Sequence, residues 1–119
     1  MAQVARKHYK LLAWREAMEL VTDIYSLTKG FPADERYGLT SQMRRAAVSV
    51  PSNIAEGAAR RSRQELKQFL MIARGSLSEL DTQFLIAANL GFILDSAATS
   101  MKIDKLFGTL GSLLKSLDN

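Results

Sequence analysis

The chain has 119 residues, 47% hydrophobic and 24% charged, a globular balance with length enough for one domain and a real core. It has no cysteine, which excludes disulfides, thiolate nucleophiles, Cys-ligated zinc and iron–sulfur clusters. The formal net charge of +4 is unevenly placed: residues 1–63 hold 11 Lys/Arg against 6 Asp/Glu and residues 64–119 hold 5 against 6, an asymmetry that suits an acidic partner such as nucleic acid.

The opening run "MAQVARKHYKLLAWRE" lacks the long apolar core of a signal peptide, and no apolar stretch reaches the roughly 20 residues that span a bilayer. A cytoplasmic protein with no membrane partner is expected. From about Leu11 to Thr28, Trp14, Met18, Val21 and Tyr25 recur at helical spacing, with Ala17, Leu20, Ile24 and Leu27 widening the stripe. Gly30, suited to the C′ position, and Pro32 then stop this first helix.

The second helix is expected over about 35–58, with Asp34 as N-cap and Leu39, Met43, Ala46, Val50 and Ile54 on its apolar face. Proline inside a helix removes an amide donor and presses on the carbonyl four residues back, here Ala47. Because Ile54 keeps the phase set before Pro51, a continuous, kinked helix is favoured over one that ends at Val50.

Ser62 and Glu65 form an S-x-x-E capping box, which starts a third helix over about 63–89. Leu66, Phe69/Leu70, Ala73, Leu77, Leu80, Phe84 and Ala87 follow at heptad spacing, and Gly91 lies just past the end. Gly75 in mid-helix predicts a close approach by a neighbouring helix. A fourth helix over about 96–117, capped by Asp95 or Ser96, carries Ile103, Leu106, Leu110, Leu113 and Leu117. No alternating strand pattern or repeat occurs. Four helices with short connections predict one all-α domain, residues 1–119, an antiparallel up-down-up-down four-helix bundle. The breadth of the apolar stripes, with Met71, Leu85 and Ile86 off the main face of the third helix, predicts a subunit interface.

The single histidine, His8, has no second histidine to share a metal or complete a catalytic set, and phosphate-binding glycine loops are missing. No catalytic residue, metal ligand or cofactor is therefore assigned. Arg44 and Arg45 on the second helix, Arg60, Arg61 and Arg63 at the turn into the third, and Lys67 one turn on are the candidate nucleic-acid contacts. Guanidinium groups offer charge and forked donors to phosphate. The alternative is a solvated corner in which they pair with Asp34, Glu35, Glu56 or Glu65, Arg44 packing inward. No aromatic residue interleaves the cluster, so backbone-led binding with little sequence preference is expected. Asn53 and Glu56 one turn apart beyond Pro51 are read as satisfying backbone groups near the kink and the helix end. An unrecognised catalytic pair at these two positions is the rival reading.

The run "FPADERYGLTSQMRRAAVSVPSNIAEGAARRSRQELKQFLMIARGSLSELDTQ", preceded by "WREAMELVTDIYSLTKGFP", closely resembles the four-helix-bundle protein family encoded in intervening sequences of bacterial 23S ribosomal RNA genes. The resemblance covers roughly residues 9–90. It implies a non-enzymatic bundle that assembles as a ring-like homopentamer. It also implies kinship with the accessory protein of diversity-generating retroelements, which presents a basic surface to a reverse transcriptase and to nucleic acid. Arg44, Arg45, Arg60, Arg61 and Arg63 then become the basic contacts. Pro51, Asn53, Glu56 and Gly57 match the family's core motif. The expected partners are further copies of the chain and RNA or a nucleic-acid-processing protein. A structural or protein-interaction scaffold without nucleic-acid binding is the alternative.

Overall fold

The computed structural model describes residues 6–118. Among them lie four α-helices and no strand: α1 (Leu12–Thr28), α2 (Leu39–Ala58), α3 (Arg63–Asn89) and α4 (Ala97–Ser116). Short 3-10 turns occupy Lys7–Lys10 and Ala33–Glu35. Each α-helix packs on two others, α2 on α1 and α3, and α4 on α1 and α3. The α2–α3 contact is the most extensive. The radius of gyration, 15.1 Å, exceeds the about 13.5 Å expected of a compact chain of this length. The extents of 43 × 38 × 24 Å describe a slab, whose thinness leaves one side of most helices open to water.

In α1 the core face is Ala13, Ala17, Leu20, Ile24 and Thr28. The stripe foreseen from Trp14, Met18, Val21 and Tyr25 lies one residue further round. Trp14 and Val21 are half-buried flanks, while Met18 and Tyr25 stay 44% and 40% exposed. Two apolar stripes of equal period run side by side here, and hydrophobicity does not rank them. Small Ala13 and Ala17 let neighbouring helices come close, which selects their face. Gly30 does not take up the left-handed conformation foreseen for it; the glycine with positive φ is Gly91, at 81°.

The second helix begins at Leu39 rather than near residue 35. Asp34 and Glu35 belong to a 3-10 turn, and the Leu39 amide donates to Glu35 Oε1 at 3.1 Å. A carboxylate at position 35 thus serves the helix start that Asp34 was expected to cap. The helix runs unbroken through Pro51, which is itself buried. The phase held by Ile54 explains this continuity: ending at Val50 would withdraw Ile54, a fully buried side chain, from the core.

Ser62 Oγ accepts from the Glu65 amide at 3.1 Å, so α3 starts where the capping motif places it. At its other end the Gly91 amide donates to Ala88 O and the Phe92 amide to Ala87 O, both at 3.0 Å. With Gly91 at positive φ this is a Schellman stop, and it lays Phe92 against Phe31, ring centroids 5.5 Å apart. The core of α3 is Leu70, Ala73, Leu77, Leu80, Gln83, Phe84 and Ala87. In α4 Ile103, Leu106 and Leu110 are buried as expected, but Leu114 takes the place assigned to Leu113, and Leu117 is only partly covered. The Asp95 carboxylate accepts from the Ala97 amide at 3.3 Å, whereas Ser96 makes no side-chain cap bond.

Gly75 has nothing within 4 Å of where a Cβ would stand, so the close approach foreseen there is absent. It occurs at Gly57, where a Cβ would lie 2.8 Å from Phe69 Cβ and 3.1 Å from Leu66 Cδ1. Further along the same helix pair, Ser49 Oγ and Ser76 Oγ are hydrogen-bonded at 2.8 Å.

Candidate nucleic-acid interface

The six basic residues chosen from sequence fall into two groups. Arg44 and Arg45 lie in the second turn of α2, Arg60 and Arg61 in the turn beyond its end, and Arg63 and Lys67 on α3. From Arg44 to the end of α2 at Ala58 the helix rises about 21 Å at 1.5 Å per residue, and Arg60 lies beyond that end. They do not form one patch.

At the α2–α3 turn the cations are largely engaged. Arg60 Nη2 pairs with Glu56 Oε1 at 2.8 Å, and its guanidinium lies 5.0 Å from the Phe69 ring centroid. Lys67 pairs with Asp118 near the end of the chain. Arg63, Lys67, Met71 and Leu117 line a mostly apolar groove of about 520 Å³. Arg61 is exposed and has no ion pair among the described residues.

The α1–α2 end has a different character. Arg44 Nε donates to Thr28 Oγ1 at 2.9 Å, Arg44 Nη2 reaches Tyr25 O at 3.4 Å, and the guanidinium lies over the Tyr25 ring at 4.5 Å. Thr28 Oγ1 in turn donates to Ile24 O at 2.7 Å. Arg44 therefore closes the C-terminal end of α1, where carbonyls are short of helical donors and the dipole favours a cation. The inward packing weighed from sequence is correct in direction, but its partners are a hydroxyl, a carbonyl and a ring, not a carboxylate.

Around Arg44 opens a groove of about 600 Å³ lined by Arg36, Arg44, Arg45, Tyr25, Tyr37 and the hydroxyl residues Thr40, Ser41 and Ser49, with Val48 as its remaining wall. Among the described residues, no carboxylate lines it. Arg45 also borders a more polar neighbouring groove with Gln42, Ser49, Ser76 and Glu79. Glu79 there accepts from Gln83 Nε2 at 3.3 Å and forms no ion pair with Arg45. The expectation that no aromatic accompanies the arginines is corrected here, since Tyr25 and Tyr37 share the groove with Arg44 and Arg45. Sequence reasoning missed Arg36 and Tyr37. Their signal was position: "ERYG" sits between Pro32 and the α2 start, where a tyrosine has no core to enter.

The motif residues divide as well. Asn53 Nδ2 donates to Ser49 O at 2.8 Å and Ser49 Oγ at 3.0 Å, tying the Ser49–Ser76 contact into a small network. Glu56 turns to Arg60 instead. Pro51 lines a shallow apolar groove of about 320 Å³ with Trp14, Met18, Val21, Val48 and Ala55. His8 stands edge-on to Trp14, ring centroids 5.0 Å apart. No group of three His, Asp or Glu residues able to hold a metal occurs among the described residues, and none of the described helices is long and apolar enough to cross a membrane.

The family model for the 23S rRNA-intervening sequence protein matches residues 9–115. Comparison with the curated proteins gives no match. The chain belongs to the 23S rRNA-intervening sequence protein family, and the match extends through α4, for which no sequence signature was evident.

Proposed function

We propose that this family member is a non-enzymatic, oligomeric protein that binds RNA or a ribonucleoprotein partner in the cytoplasm. The observation that carries the reading is the groove at the α1–α2 end. Among the described residues, three arginines and no carboxylate line it, and Arg44 is held in place by Thr28 and Tyr25. A fixed guanidinium beside two further ones binds phosphate with little ordering to do on contact. Arg61 and Arg63 at the far end of α2 extend the basic surface along a strand's backbone.

The helices are read as an antiparallel up-down-up-down bundle. The pairings of Gly57 with Leu66 and Phe69, and of Ser49 with Ser76, support this sense for α2 and α3. Copies are read as assembling into a ring, a pentamer by family resemblance. The exposed apolar side chains Met18, Val48, Met71, Ile72, Leu85 and Ile86 support burial against another subunit. Repeating the groove around a ring adds weak contacts by avidity. The same resemblance extends the partner class to the reverse transcriptase of a diversity-generating retroelement. The apolar groove beside Pro51 favours a second reading, a protein scaffold, whose binding would survive high salt.

The test is an anisotropy titration of labelled RNA at several salt concentrations. The double substitution Arg36→Ala/Arg45→Ala is expected to weaken binding and to flatten the salt dependence by about 0.7 in log–log slope for each phosphate that the protein no longer neutralises. Absence of binding at low salt refutes the reading. So does unchanged affinity after both this pair and Arg61→Ala/Arg63→Ala.

A further inference from the structure

We propose that the α1–α2 groove holds one unpaired nucleotide of a single-stranded RNA, its base on the Tyr37 ring and its phosphate on Arg36 and Arg45. This rests on the RNA-binding reading above and adds a strand preference that backbone contacts alone would not give.

Tyr37 is 86% exposed, an unusual position for a large aromatic side chain. The backbone beneath it is well held. Arg36 N donates to Ala33 O at 3.2 Å, Gly38 N to Glu35 O at 3.0 Å and Leu39 N to Glu35 Oε1 at 3.1 Å. The ring is thus presented from a braced turn. The Arg36 guanidinium lies 5.4 Å from its centroid, close enough to add a cation–π contact while keeping donors for an anion.

Tyr25 is less open to a base, being 40% exposed, with the Arg44 guanidinium fixed over its ring at 4.5 Å. Its role is to hold Arg44 as a fixed positive wall. Arg45, exposed on α2 and without an ion pair among the described residues, lines the same groove and is available to phosphate. The groove, about 600 Å³, is within the size range of sites that enclose a small molecule. The combination of bare aromatic face, flanking guanidinium groups and lining hydroxyls matches how single strands are bound, by stacking with charge along the backbone. Duplex RNA keeps its bases stacked and its major groove deep and narrow, so it would meet the arginines but not Tyr37.

The experiment compares a labelled single-stranded RNA, the same RNA in a duplex, and uridine monophosphate as a free competitor. Each is titrated against the wild-type protein, Tyr37→Leu, Tyr37→Trp and Arg36→Ala/Arg45→Ala. Tyr37→Leu is expected to weaken the single strand about tenfold, as loss of one stacked base does, and to leave duplex binding unchanged. Tyr37→Trp should restore the affinity, and the monophosphate should compete only weakly. Because Tyr37 is almost fully solvated, circular dichroism should show the same helicity in all variants.

Equal affinity for single strand and duplex, or wild-type binding by Tyr37→Leu, overturns the inference. If the arginine pair still weakens both RNAs in that case, the backbone reading stands by itself. Tight binding of the monophosphate without the oligonucleotide overturns the inference too, replacing RNA with a free nucleotide. Loss of all RNA binding in the wild type removes the functional reading and this inference together.

Discussion

Two glycines in helices should respond in opposite directions to the same substitution. A Cβ at Gly57 would stand 2.8 Å from Phe69 Cβ, 3.1 Å from Leu66 Cδ1 and 3.3 Å from Leu66 O. Phe69 Cβ is one bond from the backbone, so relief requires α2 and α3 to separate. Overpacking of this kind costs about 1–3 kcal/mol. The gain in helix propensity from Gly to Ala returns about 1 kcal/mol of that. Gly57→Ala is therefore expected to destabilise by about 1 kcal/mol and at most about 2, or roughly 4 °C in Tm at the entropy of unfolding typical of this length. Gly75→Ala meets nothing within 4 Å and keeps only the propensity gain, so it should stabilise by up to about 1 kcal/mol. Urea and thermal unfolding of the two variants and wild type, at one fixed protein concentration, reads both signs. A Gly57→Ala variant as stable as wild type would refute the close approach of α2 to α3. A destabilised Gly75→Ala would show that another chain occupies the open face.

Removing the Arg44 side chain takes away its bonds to Thr28 Oγ1 and Tyr25 O and its stacking on Tyr25. Arg44→Ala should cost about 1–2 kcal/mol in urea unfolding, with Arg44→Lys recovering only part, since one ammonium cannot reproduce a planar fork. Ser62→Ala removes the oxygen that accepts from the Glu65 amide and should cost about 1 kcal/mol by the same measurement. Lys102 has its pKa raised above 10.5, chiefly by its hydrogen bond to Asp23, with the charges of Asp23 and Glu19 adding and desolvation opposing. A raised folded pKa means that the pair's stabilisation is complete below the unfolded value and is lost as pH rises through the folded one. Wild type should thus hold a small advantage over Lys102→Met at pH 7, and that advantage should shrink away as pH rises above about 10.5.

Much of the candidate site was not legible in the sequence. The arginine run at residues 60–63 drew attention because it is dense, yet density along the chain says little about availability. Glu56 lies one turn from Arg60 and pairs with it, and Asp118, 51 positions from Lys67, comes back to meet that ammonium. Arg36 and Tyr37 fell within the expected second helix and were not singled out. Only the packing of α2 against the end of α1 brings them beside Tyr25, Arg44 and Arg45. Tyr25 itself was assigned to the core stripe, because helical period places it there as readily as on the flank.

What the sequence determined by itself is local and repetitive. Helical period, the Ser62 cap and the Gly91 stop locate α3 to the residue, because capping and backbone conformation act within a few positions. The phase of Ile54 across Pro51 made the continuity of α2 legible for the same reason. Tertiary structure decided what depends on distant partners: the Ala13–Ala17 face of α1 over the Trp14–Met18 face, the tight spot at Gly57 rather than Gly75, and the grouping of Arg36 and Tyr37 with Arg44 and Arg45. Those outcomes turn on how closely two helices can approach and which side chains then share a cleft. Neither quantity is carried by spacing along one chain.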